Sequence, residues 1–174
     1  MNSAKQALLA FACLWTIGLS NATADDLPEF GTRDLAETKT LSGITLVFDP
    51  GKITMVFATP GSTGSPRRPG VPATNVIGLA GGPQEIDETA DGLLERLNLK
   101  RYFITLTLPD GIRVWLKASA VSFVRATELW DHTRVEAKSA INAGGAGAKP
   151  IFVKESVATI KEAVNAVRRQ IRSR

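Results

Sequence analysis

The chain has 174 residues, 44% of them hydrophobic, and 21 Lys+Arg against 17 Asp+Glu give a formal net charge of +4. That is a mildly basic protein and not a polycation, which argues against a role carried by bulk attraction to nucleic acid. One cysteine, Cys13, excludes an internal disulfide framework and any thiolate metal cluster.

Residues 1–24 read as a cleavable secretory signal peptide. Lys5 precedes an apolar run over residues 7–19, interrupted by Thr16 and Gly18. A membrane-spanning helix needs roughly 20 apolar residues, so this run has the length of a signal core. Ala22-Thr23-Ala24 then offers the small residues a signal peptidase accepts, and Asp25-Asp26 opens the mature chain. An uncut N-terminal anchor is the alternative. A lipoprotein would need a better box than Ala10-Phe11-Ala12 before Cys13. Cleavage removes the only cysteine and lowers the charge to +3 by taking Lys5. The expected product is periplasmic or secreted, has no membrane span after cleavage, and folds on its hydrophobic core alone.

Residues 25–42 read as an N-terminal segment, partly disordered. A hairpin is expected over 44–57, followed by a loop over 60–72 with four prolines, three glycines and Arg67-Arg68. Short strands follow near 75–79 and 85–87, then a helix capped by Thr89 and running to Leu97. Residues 99–102 join this first half to the second. There Ile104, Leu106 and Leu108 alternate with Thr105 and Thr107, giving a strand with one apolar face. Pro109-Asp110-Gly111 supplies a turn in which Pro presets φ and Gly takes φ > 0. A three-residue loop sets Leu108 against Ile112, Leu106 against Val114 and Ile104 against Leu116, so apolar residues oppose one another. Strands are expected at 120–124, 133–141 and 150–154. Ser156 then caps a helix over 157–171, where Val157, Ile160, Val164, Val167 and Ile171 recur at helical spacing. Arg168, Arg169 and Arg172 suit the negative end of its dipole.

The halves echo each other. Ile44-Thr45-Leu46 and Ile104-Thr105-Leu106 stand 60 positions apart, each followed by a turn glycine. Ile86-Asp87-Glu88-Thr89 and Val153-Lys154-Glu155-Ser156 stand 67 apart. The expected fold is α+β and β-rich: two tandem copies of a hairpin–strand–strand–helix module, 43–98 and 103–172, packed as one compact unit. The second copy resembles small bacterial flagellar modules of the FlbD type, on Ile104-Thr105-Leu106, Asp110-Gly111 and Val153-Lys154-Glu155-Ser156. The resemblance spans 103–167 and, more faintly, 44–97. It implies the strand order of those modules and no more.

Chemistry is sparse. His132 is the sole histidine, and neither a His pair nor an acidic calcium loop is present, so no metal site and no cofactor is expected. No Gly-x-Ser-x-Gly elbow accompanies Asp131-His132. Gly144-Gly145-Ala146-Gly147-Ala148-Lys149 lacks the ending of a phosphate loop and precedes a strand. Asp87, Glu88, Glu155 and Glu162 are compatible with acid–base work, yet sit where helix starts and faces carry acids anyway. Two features suggest binding. Arg113, Trp115 and Lys117 fall on the outer face of the second hairpin, a composition that grips sugars, acidic chains or partner proteins. The alternative is that Trp115 is covered by the first half or by the N-terminal segment. Arg67 and Arg68 offer a second cationic patch, or a passive connection. The leading expectation is an exported, non-enzymatic binding protein of the bacterial envelope, whose partner is an envelope protein or an anionic envelope polymer. An envelope-glycan enzyme or inhibitor using Asp/Glu is the alternative. A basic nucleic-acid-binding module comes third, and export argues against it.

Overall fold

The computed structural model describes residues 34–59, 73–79, 81–128, 136–143 and 149–173. The expected signal peptide, Arg67, Arg68 and His132 lie outside them. The strands are β1 (Ala36–Lys39), β2 (Thr45–Phe48), β3 (Met55–Ala58), β4 (Thr74–Ile77), β5 (Gln84–Ile86), β6 (Phe103–Thr107), β7 (Arg113–Lys117), β8 (Val121–Ala126), β9 (Ser139–Ala143) and β10 (Ile151–Val153). The helices are α1 (Ala90–Arg96) and α2 (Val157–Arg172). The fold is therefore α+β and β-rich, with the strands in three antiparallel sheets: β1-β2, β5-β4-β3-β7-β6 and β10-β9-β8.

The β6–β7 hairpin has the register that apolar pairing demands. Ile104 faces Leu116, Leu106 faces Val114, and Leu108 N–H donates to the Ile112 carbonyl at 2.8 Å. Gly111 takes φ +88° and Asp110 Oδ1 accepts from Ile112 N–H, closing the three-residue loop. Both helix caps form as well. Thr89 accepts from Gly92 N–H at 3.2 Å and Ser156 from Thr159 N–H at 3.2 Å.

The first half departs from the expected duplication. Residues 44–57 do not make a hairpin. Asp49 caps a 3-10 turn over Pro50–Lys52 by accepting from Gly51 N–H, and this turn separates β2 from β3. β2 pairs with β1, from the segment expected to be partly disordered, and β3 inserts between β4 and β7. The paired copies suggested by the repeated Ile-Thr-Leu are thus not seen: one strand of the pair is central to a sheet and the other is not in it.

Single contacts stitch the sheets together. Thr40 bridges Ile86, and Asp87 N–H donates to the Lys39 carbonyl, joining β1 to β5. Lys154 N–H donates to the Thr107 carbonyl, joining the end of β10 to β6. The five-stranded sheet carries a core on each face. On one face Val56, Val76, Ile86, Phe103 and Trp115 pack with Leu93 and Leu94 of α1 and with Ala36 and Phe48 of the β1–β2 pair. On the other, Ile104, Leu106, Val114 and Leu116 pack with Ile141 and Val153 of the three-stranded sheet and with Ile160 and Val164 of α2. Alternation along β7 sends Val114 and Leu116 to one core and Trp115 to the other. Bidentate bonds from Arg96 to Glu88, at 2.7 and 3.0 Å, hold α1. A third bond from Arg96 to the Glu37 carbonyl ties it to β1. The hydrogen bonds to Glu88 raise the Arg96 pKa above its already high ordinary value.

Candidate functional site

The Arg113–Trp115–Lys117 face is not an exposed surface. Trp115 is 7% exposed and belongs to the first core, and Lys117 is 8% exposed. The Lys117 ammonium donates to the Gly51 carbonyl, pinning the 3-10 turn. Only Arg113 reaches solvent, its guanidinium 6.0 Å from the Trp115 ring centroid. The hairpin pattern assigned Trp115 to an outer face because it treated β6–β7 as a unit. In the fold β7 is an interior strand covered on both sides. Of the cations picked from the sequence as binders, Arg113 alone is available among the described residues.

Two of the four candidate carboxylates are occupied elsewhere. Glu88 holds Arg96, and Glu155 accepts from Thr107 N–H at 3.1 Å. Glu162 is exposed on α2. Among the described residues no group of three His, Cys, Asp or Glu converges on a point that could hold a metal. No described helix is long and apolar enough to cross a membrane.

A different surface has the form of a site. Val121, Ser122, Phe123 and Val124 of β8 face Val157, Lys161, Val164, Asn165 and Arg168 of α2 across a groove of about 240 Å³. The helix residues fall at spacings of three and four, one stripe along α2. The strand side is shaped by a β-bulge between Val121 and Phe123. Val121 lies opposite Ala143 and Val124 opposite Ile141, so both turn toward the second core although they are three residues apart. The extra residue leaves Ser122 and Phe123 pointing outward, and Phe123 is 53% exposed. Residues from both faces of β8 line the groove, so it runs along the strand's open edge and not over either face. β8 is an end strand of its sheet.

Arg168 and Lys161 give the groove its charge, and no carboxylate lines it. Arg168 Nη2 donates to the Ala118 carbonyl at 3.0 Å and to the Val121 carbonyl at 2.8 Å, so the cation is fixed at one end of the groove. Sequence had given Arg168 to the helix dipole, while its bonds go to the chain leading into β8. Lys161 is exposed and makes no ion pair with a described residue. Of the helix residues in the groove, only Val157 and Val164 belong to the apolar stripe read from the sequence; Lys161 and Asn165 stand beside it. The bulge, which decides that Phe123 is exposed, carries no signal in Val121-Ser122-Phe123-Val124. No protein family, curated protein or solved structure matches this chain.

Proposed function

We propose that this chain is an exported, non-enzymatic binding protein, and that the groove between β8 and α2 takes an acidic segment of another envelope or extracellular protein. One observation carries the reading: an exposed aromatic and two cations line one groove with no acid among them. Exposed large apolar side chains beside fixed cations suit a partner that brings both apolar and anionic groups. At about 240 Å³ the groove is below the size that encloses a drug-sized ligand, and it is open along a strand, which favours a length of polypeptide. The leader over residues 1–24 supports the address.

The address is checked by Edman sequencing of the protein recovered from the periplasm or medium of an expressing bacterium. Its first residue is expected to be Asp25, and retention of Lys5 in a membrane fraction would refute export by cleavage. The groove is checked with a fluorescein-labelled eight-residue peptide of alternating Val and Glu. Saturable binding is expected, weakened at least tenfold by Lys161→Glu, a solvent-facing change expected to leave the melting temperature within about 1–2 °C, since such surface changes stay within ±0.5 kcal/mol. A Val-Lys counterpart is expected not to bind. No saturable binding, or equal binding by Lys161→Glu, would remove the groove from consideration. So would heparin, as an anionic polymer, binding where the acidic peptide does not.

A further inference from the structure

We infer that the occupant of this groove adds to β8 as a further strand, hydrogen-bonding to its backbone over Ser122–Arg125 with acidic side chains set toward Lys161 and Arg168. This rests on the groove being the binding site, and it specifies how the site reads its ligand. β8 ends its sheet in the order β10-β9-β8, so one side of its backbone has no strand neighbour among the described residues. A strand edge is a template for another chain, and extended peptides use it in strand addition.

The ends of the available stretch are marked. At the start, Arg168 Nη2 already takes the Val121 carbonyl. At the finish, Arg125 Nη1 donates to the Ala126 carbonyl at 3.0 Å. Between them lie four residues, about 13 Å of strand, enough for two or three backbone bonds. Phe123, turned out by the bulge, supplies an apolar contact on the same stretch.

The occupant is a free-standing segment and not a second copy of this chain. α2 stands across the groove from β8, and Lys161, Val164 and Asn165 wall the far side. A second copy would offer its own β8, Val121–Ala126, which holds no acid and would set Arg125 beside Lys161 and Arg168, like charge against like. Charge selects the segment's chemistry. Residues alternate sides along a strand, so an acidic residue at every second position presents a row of carboxylates to Lys161 and Arg168.

The test uses the full mature chain and the Val-Glu peptide in two forms, one plain and one N-methylated at alternate residues. The plain peptide is expected to slow hydrogen exchange at amides within 122–125, and N-methylation to weaken binding at least tenfold. Equal affinity of the two forms without slowed exchange, but with binding still lost in Lys161→Glu, would overturn strand addition and leave the groove as the site. Loss of the Lys161 dependence itself would instead refute the site. A concentration-dependent dimer in sedimentation that the plain peptide dissociates would overturn the free-segment occupant in favour of self-pairing.

Discussion

Trp115→Ala is expected to cost about 3–5 kcal/mol, the range for truncating a buried aromatic. Trp115 is paired with Val56 on one neighbouring strand and Thr105 on the other, and packs in the first core. Total stability of a domain is about 5–15 kcal/mol, so the variant should unfold at far lower urea and melt at least 6 °C lower. Arg113→Ala is the control. It removes one exposed cation–π contact at 6.0 Å, worth about 0.5–1 kcal/mol. Urea denaturation of both variants checks the contrast. A Trp115→Ala protein as stable as its parent would mean that the indole is not core, and would return it to the surface as a binding residue.

The second large effect belongs to Gly78, just after β4. Its φ is +110°, and a Cβ there would lie 2.2 Å from the Lys52 carbonyl oxygen and 2.8 Å from Thr54 N. Both neighbours are backbone, and they cannot move cheaply. Thr54 N–H donates to the Ile77 carbonyl at 2.8 Å, and Lys117 N–H donates to the Thr54 carbonyl at 2.9 Å. Any shift therefore pulls on both neighbours of β3. Backbone strain and overpacking together put Gly78→Ala at about 3–5 kcal/mol. Gly111→Ala separates the two terms. Its φ of +88° is just as unfavourable, but nothing lies within 4 Å of the added carbon. It should cost about 1–2 kcal/mol. Thermal melts that place the two alanine variants together would show that the clash at Gly78 is relieved.

Local features were the legible ones. Apolar alternation and Pro109-Asp110-Gly111 gave the β6–β7 register, because a one-residue slip would expose Ile104, Leu106 and Leu108. Thr89 and Ser156 marked both helix starts, since a side chain that caps acts within three residues. β9 begins at Ser139, later than the spacing suggested, and Ala140 and Ala143 give little hydrophobic contrast to read. What failed depends on distant partners. The match between Ile44 and Ile104 is a match of strand propensity, and propensity does not choose neighbours. The 3-10 turn at Pro50 sends β2 away, so the second half's hairpin has no twin. Trp115 stood between two readings for the same reason, and the covered one holds: its burial is set by β3, α1 and the β1–β2 pair. The groove mixes the two cases: the apolar stripe that seats α2 is periodic and readable, but it reaches the groove only at Val157 and Val164, and β8 owes its shape to one extra residue.

The central position of β3 has a consequence for how the chain is made. β3 bonds on one side to β4 and on the other to β7, where Met55 meets Leu116, 61 positions later. As the chain emerges from its N-terminus, β1 to β5 are complete long before the strand that closes the middle of the sheet. Until residue 117 arrives, Met55, Val56 and Phe57 present an unpaired apolar edge, the kind of surface that nucleates aggregation. The middle of the sheet therefore waits on the closure of a long loop, which costs chain entropy before its contacts form. A chain cut after β3 and before β7 is thus left with a central, apolar strand uncovered on one edge.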